Sequence, residues 1–87
     1  MILDKFKLDG KIAIVTGAAR GLGQGIAEGL AEAGADTALV DILDTSESKE
    51  KVENLGRKAV SIKADLSQKE SVDTIISQTL EAFGRID

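Results

Sequence analysis

Residues 11–23, KIAIVTGAARGLG, decide the fold of this chain. Residues 11–16 are a nearly continuous apolar, β-branched run, the pattern of a parallel strand covered on both faces and central in its sheet. The run breaks at Gly17, and glycine returns at Gly21 and Gly23 before a helical apolar spacing begins. A turn between such a strand and a helix gathers backbone amides and the positive end of the helix dipole at one point, which makes it a seat for phosphate. Each glycine has a physical reason there. The chain reverses sharply at Gly17, a pyrophosphate approaches bare backbone at Gly21, and helix packs on strand at Gly23. The spacing is GxxxGxG, and no Gly-Lys-Ser/Thr follows, so the turn is not a P-loop and nucleotide triphosphate hydrolysis is not indicated. Taken alone, a glycine cluster also fits a tight structural turn.

Outward from this stretch the chain alternates short β-branched runs with longer segments of helical spacing, which reads as βαβαβα. Ile26, Leu30 and Ala33 recur at i, i+4 and i+7 and predict a first helix that Gly34 closes in a left-handed conformation. Residues 37–41, TALVD, read as the second strand. Asp44 or Thr45 is placed to cap a mostly polar second helix, with Val52 and Leu55 on its apolar side and Gly56 at its end. Residues 59–64, AVSIKA, alternate as a strand near a sheet edge does, more exposed than the first. Ser67 and Glu70 match a capping box and predict the start of a third helix. Its apolar face is Val72, Ile75, Ile76, Leu80 and Phe83, and Gly84 ends it. Arg85, Ile86 and Asp87 look like the approach to a fourth strand. Residues 1–87 therefore read as the N-terminal part of a single domain that stops in mid-architecture.

Asp41 closes the second strand 24 residues after Gly17, close to the roughly 20-residue offset at which an acid meets the adenosine ribose in dinucleotide-binding folds. Its carboxylate is suited to accept from both ribose hydroxyls. The alternative, that Asp41 merely begins a solvated loop with Asp44, loses ground once the glycine turn stands in the same βαβ frame. Asp65, next to Leu66 at the end of the third strand, either meets adenine or stabilises the turn into the third helix. Arg20 either faces a phosphate or is a solvated surface arginine. Gly25 and Gly29, inside the first helix, are explained most simply by close backbone packing.

Composition removes whole classes of chemistry. Eighty-seven residues, 43% of them hydrophobic and 30% charged, suffice for one small domain and not for two. The net charge of -4, with no basic cluster or aromatic platform, excludes nucleic acid as a partner. The sequence contains no Cys and no His, which excludes zinc sites, thiol catalysis and Ser-His chemistry. No apolar run is long enough to span a membrane, and Asp4, Lys5, Lys7 and Asp9 interrupt the N-terminus where a signal peptide needs an apolar core, so the expected location is the cytoplasm.

At these residues the chain resembles the short-chain dehydrogenase/reductase family, whose signature TGxxxG[IL]G is matched by Thr16, Gly17, Gly21, Leu22 and Gly23. Lys11, Asp41, the Asp65-Leu66 pair and the closing Phe83-Gly84-Arg85-Ile86-Asp87 also fall where that family has them. Met1-Ile2-Leu3, the segment from Phe6 to Lys11 and Gly21-Leu22-Gly23-Gln24-Gly25 look like its 2-keto-3-deoxygluconate (2-deoxy-D-gluconate 3-) dehydrogenase branch. The resemblance implies an α/β, doubly wound parallel sheet (a Rossmann fold), hydride transfer between NAD(H) or NADP(H) and an alcohol or ketone on a small-molecule sugar acid, and a homotetramer at full length. Carried over residue by residue, it implies Gly17, Arg20, Gly21, Leu22 and Gly23 on the pyrophosphate side, Asp41 on the ribose, and Asp65 and Leu66 at the adenine. The family's Asn-Asn-Ala-Gly segment, its catalytic Ser and its Tyr-x-x-x-Lys are not in this chain, which has no Tyr. No catalytic residue is carried over, and the chain alone is expected to be inactive. Asp41 points to NAD rather than NADP. A dinucleotide-binding module without chemistry is the alternative reading; a methyltransferase-like fold is disfavoured by the Thr-Gly opening and the glycine spacing.

Overall fold

The computed structural model describes residues 8–87. The sequence cues at Met1, Ile2, Leu3, Phe6 and Lys7, and the charges at Asp4 and Lys5, lie outside the described residues. Six elements follow in strict alternation: β1 (Ile12–Thr16), α1 (Gly21–Glu32), β2 (Asp36–Asp41), α2 (Ser46–Asn54), β3 (Ala59–Lys63) and α3 (Lys69–Phe83). The strands are all parallel in the order β1-β2-β3, with Ile12 opposite Asp36 and Thr37 opposite Ala59. Short apolar strands separated by helices have this arrangement open to them because each helix covers the sheet while returning the chain to the end at which the previous strand began.

Both faces of the sheet are covered. On one, Val15 and Leu39 pack with Ala27 and Ala31 of α1 and Val52 of α2. On the other, Ala38, Val40 and Ile62 pack with Ile75 of α3. β2 is the central strand, and its Ala38, Leu39 and Val40 are fully buried. β1, read from the sequence as central in a sheet that includes a fourth strand, lies at one edge of these three, with Ala13 and Ile14 only half-buried. Its outer edge is met by Asp87, whose amide donates to the Ile12 carbonyl at 2.8 Å and whose Oδ2 accepts from the Ile12 amide at 2.9 Å. β3 is the other edge and the more exposed of the two, as its alternation indicated.

The helices start and bury differently from their sequence signals in four places. α1 turns Ala27 and Ala31 to the core and leaves Ile26 exposed, because only small side chains let its backbone lie close to the sheet. In α3, Ile75 and Thr79 are buried while Val72, Ile76 and Leu80 are exposed. The Thr79 hydroxyl is satisfied by donating to the Ile75 carbonyl at 2.7 Å. The Ser67–Glu70 capping box does not form; the N-cap is Gln68, one residue later, α3 begins at Lys69, and Ser67 is instead held by Asp65. α2, by contrast, is capped where expected: its N-cap is Thr45, and Asp44 accepts from the Ser46 amide at 2.9 Å. Leu55, expected on its apolar side, is exposed. Among the described residues, no helix is long and apolar enough to cross a membrane.

Two glycines of α1, two positions apart, have opposite surroundings. A Cβ on Gly23 would collide with the Gly17 carbonyl, lying 2.6 Å from its carbon, whereas a Cβ on Gly25 or Gly29 would meet nothing within 4 Å. The expectation of close packing at Gly25 and Gly29 is therefore not met. Gly25→Ala should raise unfolding stability by about 0.5–1 kcal/mol through helix propensity. Gly23→Ala should lower it by roughly 1–3 kcal/mol through overpacking. Urea denaturation of the two variants beside the unaltered chain checks both signs.

Candidate functional site

The residues singled out in the sequence gather at the C-terminal ends of the three strands, where open parallel sheets bind their ligands. Gly17 and Gly21, at the two ends of the turn, have φ of 64° and 61°, a left-handed conformation that glycine adopts without strain. A Cβ on Gly21 would meet no atom within 4 Å, so the backbone there is open to a ligand. Gly23 is the contact that seats α1 on the turn. The first turn of α1 carries no acidic side chain to offset the positive end of its dipole.

The turn is tied to β2 at consecutive positions. The Ala18 amide donates to the Val40 carbonyl at 3.1 Å, and the Ala19 amide donates to Asp41 Oδ2 at 2.9 Å. The other carboxylate oxygen of Asp41 accepts from the Leu43 amide at 3.0 Å. These two amides, Leu43 foremost and then Ala19, hold the Asp41 carboxyl below its ordinary range, with the Arg20 charge adding to the effect. The Asp41 carbonyl in turn accepts from the Ala64 amide at 3.1 Å and so brings the end of β3 alongside.

Gly17, Asp41, Ile42, Ala64, Asp65 and Leu66 line a cleft of about 200 Å³. Asp65 Oδ1 accepts from the Ser67 amide at 2.9 Å and from its hydroxyl at 2.7 Å, which lowers the Asp65 carboxyl, the hydroxyl contributing most. The turn-stabilising reading of Asp65 is therefore realised, at the rim of the cleft. Leu66 and Ile42 are 51% and 56% exposed there, apolar side chains suited to the face of a flat heterocycle. Arg20 is the exposed N-cap residue of α1, and Leu22, 82% exposed, stands on its first turn outside the cleft lining.

Sequence reasoning missed Ile42 and Ser48. Ile42 follows a strand and carries no periodicity, and Ser48 sits in a helix read as a polar rim. Ser48 is fully buried and donates its hydroxyl to the Ala18 carbonyl.

Comparison with known proteins follows the same residues. The short chain dehydrogenase family profile matches residues 11–87. The 2-dehydro-3-deoxy-D-gluconate 5-dehydrogenase of Escherichia coli (strain K12) is 44% identical over 87 residues, which are 100% of this chain and 34% of that protein. Versicolorin reductase 1 of Dothistroma septosporum is 39% identical over 90 residues, again 100% of this chain and 34% of the relative. The chain thus spans about a third of the length of the curated relatives it matches. Among solved structures, a short-chain type dehydrogenase/reductase from Mycobacterium marinum superposes with a TM-score of 0.92 at 34% identity, covering 100% of this chain and 36% of that one. Carveol dehydrogenase from Mycobacterium avium, in complex with NAD, gives a TM-score of 0.88 at 29% identity, covering 93% of this chain and 34% of its own.

The bonds at Asp41 predict a linked titration. Its carboxyl is held below the ordinary 3.8 in the folded chain, so it contributes stability above that pH and loses the contribution as pH falls through the lower folded value. The amide protons of Ala19 and Leu43 are expected to titrate together in NMR spectra with a midpoint below 3.8. A midpoint at or above 3.8, or movement of only one amide, would show that the carboxylate does not hold both.

Proposed function

The chain belongs to the short-chain dehydrogenase family, and on that premise we propose that residues 1–87 are the dinucleotide-binding N-terminal part of one Rossmann domain. The whole protein, in this reading, interconverts an alcohol and a ketone with NAD. The observation that carries the proposal is the convergence of an open glycine turn, an ionised Asp41 and an apolar-walled cleft at one end of a parallel sheet.

The residues fit the cofactor in three respects. Open backbone at Gly21, beside Gly17, Arg20, Leu22 and Gly23, suits the pyrophosphate. Each Asp41 oxygen already accepts one backbone amide, and each retains a further acceptor position for a ribose hydroxyl. Leu66 and Ile42, with Asp65 at the rim, suit adenine. The bound nicotinamide supplies or receives hydride; the residues of this chain bind and orient it.

The substrate in this reading is a sugar acid such as 2-dehydro-3-deoxy-D-gluconate or 2-deoxy-D-gluconate, and the name of the E. coli relative supports the first of these. Carbohydrate metabolism in the cytoplasm, as a homotetramer, completes the proposal. With neither Tyr nor His to move the substrate proton, the 87-residue chain should form no NADH from any sugar acid. NADH formation that follows the chain through purification would overturn that expectation.

Cofactor choice rests on two residues that pull in opposite directions. A 2′-phosphate about 4 Å from Asp41 would meet like-charge repulsion of about 4 kcal/mol per unit charge at an effective dielectric near 20. Arg20 is exposed, and an exposed ion pair returns no more than about 1 kcal/mol. We therefore expect NAD to bind the full-length protein at least about tenfold more tightly than NADP. Asp41→Ala should weaken both, because it also frees the Ala19 amide, and should narrow their ratio. Calorimetric titration of both cofactors decides it: an NADP preference, or a ratio unmoved by the substitution, would assign the choice to Arg20 instead.

A further inference from the structure

The amide of Ala19 and the carbonyl of Ala18 belong to one peptide unit, and side chains grip it from both ends. Asp41 takes the N–H at 2.9 Å, and the buried Ser48 hydroxyl donates to the C=O. Ala18 is fully buried and Ala19 is 7% exposed. We propose that Ser48 is a positioning residue for the dinucleotide site: together with Asp41 it locks the Ala18–Ala19 peptide and so holds the glycine-rich turn in its anion-binding form. The proposal rests on the dinucleotide reading of the turn given above.

The turn needs such a lock. Gly17 and Gly21 flank it, and glycine has the widest choice of backbone conformation of any residue, so the segment between them can swing about both ends unless something holds it. Rotation of the Ala18–Ala19 unit breaks both side-chain bonds at once. The lock also sets polarity. With its oxygen committed to Ser48, the Ala18 carbonyl is kept from the exposed side of the turn, where its partial negative charge would oppose a phosphate.

Ser48 is itself aimed from behind. The Gln24 side-chain amide donates to Ser48 Oγ at 3.0 Å, and Gln24 Oε1 accepts from Lys51 Nζ at 3.2 Å. An ammonium only donates, so Lys51 fixes which end of the Gln24 amide faces Ser48. Gln24 then occupies an acceptor position of the hydroxyl and leaves its proton for Ala18. Lys51 is kept in place by Glu28 and Glu47, each 3.8 Å away. The donors run in one direction, from Lys51 through Gln24 and Ser48 to the turn, and each shortens the list of orientations open to the next. Ser48 stands in the first turn of α2, where its own helix offers no preceding turn to bond, and its hydroxyl reaches back 30 positions to the glycine-rich turn.

The test measures NAD affinity and Ala19 amide exchange with solvent in the whole protein of which these residues are the N-terminal part, unaltered and as Ser48→Ala, Gln24→Met and Val52→Ala. Val52, one turn along the same helix and fully buried, controls for loss of packing alone. If removing the hydroxyl leaves the binding form only about 10–20% populated, NAD affinity falls roughly five- to tenfold. Ser48→Ala should show that loss together with faster exchange at Ala19. Gln24→Met should show the same changes to a smaller degree, and it carries the test if Ser48→Ala does not fold. Val52→Ala should lower unfolding stability while leaving both quantities near those of the unaltered protein. Unchanged NAD affinity in Ser48→Ala, or an equal loss in Val52→Ala, overturns the positioning role and leaves the dinucleotide reading standing. Failure of the unaltered whole protein to bind NAD overturns that reading and this proposal with it.

Discussion

At Gly23 the backbone of α1 lies against the Gly17 carbonyl with no room for a side chain between them, and the geometry of the candidate site depends on that contact. The two core-facing residues of the helix, Ala27 and Ala31, continue the line of small residues from Gly23 at successive four-residue steps. A helix that meets a sheet through glycine and alanine sits closer to it than one that meets it through leucine or isoleucine. Its first-turn amides are thereby brought down to the level of the strand end. The anion-binding arrangement is thus a result of backbone proximity, and the side chains around it adjust and lock what the backbone has already positioned.

Asp41 is the joint at which the other contributors meet. Its carboxylate accepts from the glycine turn and from its own following loop, and its carbonyl receives the Ala64 amide that brings in β3. It stands at the end of the most deeply buried strand, whose Ala38, Leu39 and Val40 are inaccessible to solvent. The residue with the most partners in the site therefore rests on the least deformable element, the arrangement that keeps a binding group in a fixed geometry.

Elements and glycine positions were legible in the sequence because they answer to local rules: β-branched runs, helical spacing and the need for left-handed backbone at Gly17, Gly21, Gly34, Gly56 and Gly84. What escaped was set by neighbours remote in sequence. Ile26 fits an apolar stripe as well as Ala27 does, and only the closeness of the sheet selects the smaller residue. Ser67 and Glu70 satisfy the spacing of a capping box, yet Asp65 is nearer to the Ser67 amide and takes it first. Val72, Ile76 and Leu80 carry true helical periodicity, but α3 is the sole helix among the described residues on its face of the sheet and buries only one side. In the site, Asp41 was readable from its offset to the glycines, whereas Ser48 was not: one serine among charged residues gives no pattern, and its role exists only once α2 folds back against the turn.

The parallel ladder has a consequence in time. Ile12 pairs with Asp36, 24 positions on, and Thr37 with Ala59, 22 positions on, so no two strands here are joined by a hairpin. Each strand pairing must first close a loop of that length, an entropic demand that a short turn would not make. Helical turns form in well under a microsecond to about a microsecond and shorten the loop they occupy. The crossover helices are therefore the route by which distant strands find their register, as well as the cover that keeps the finished sheet dry.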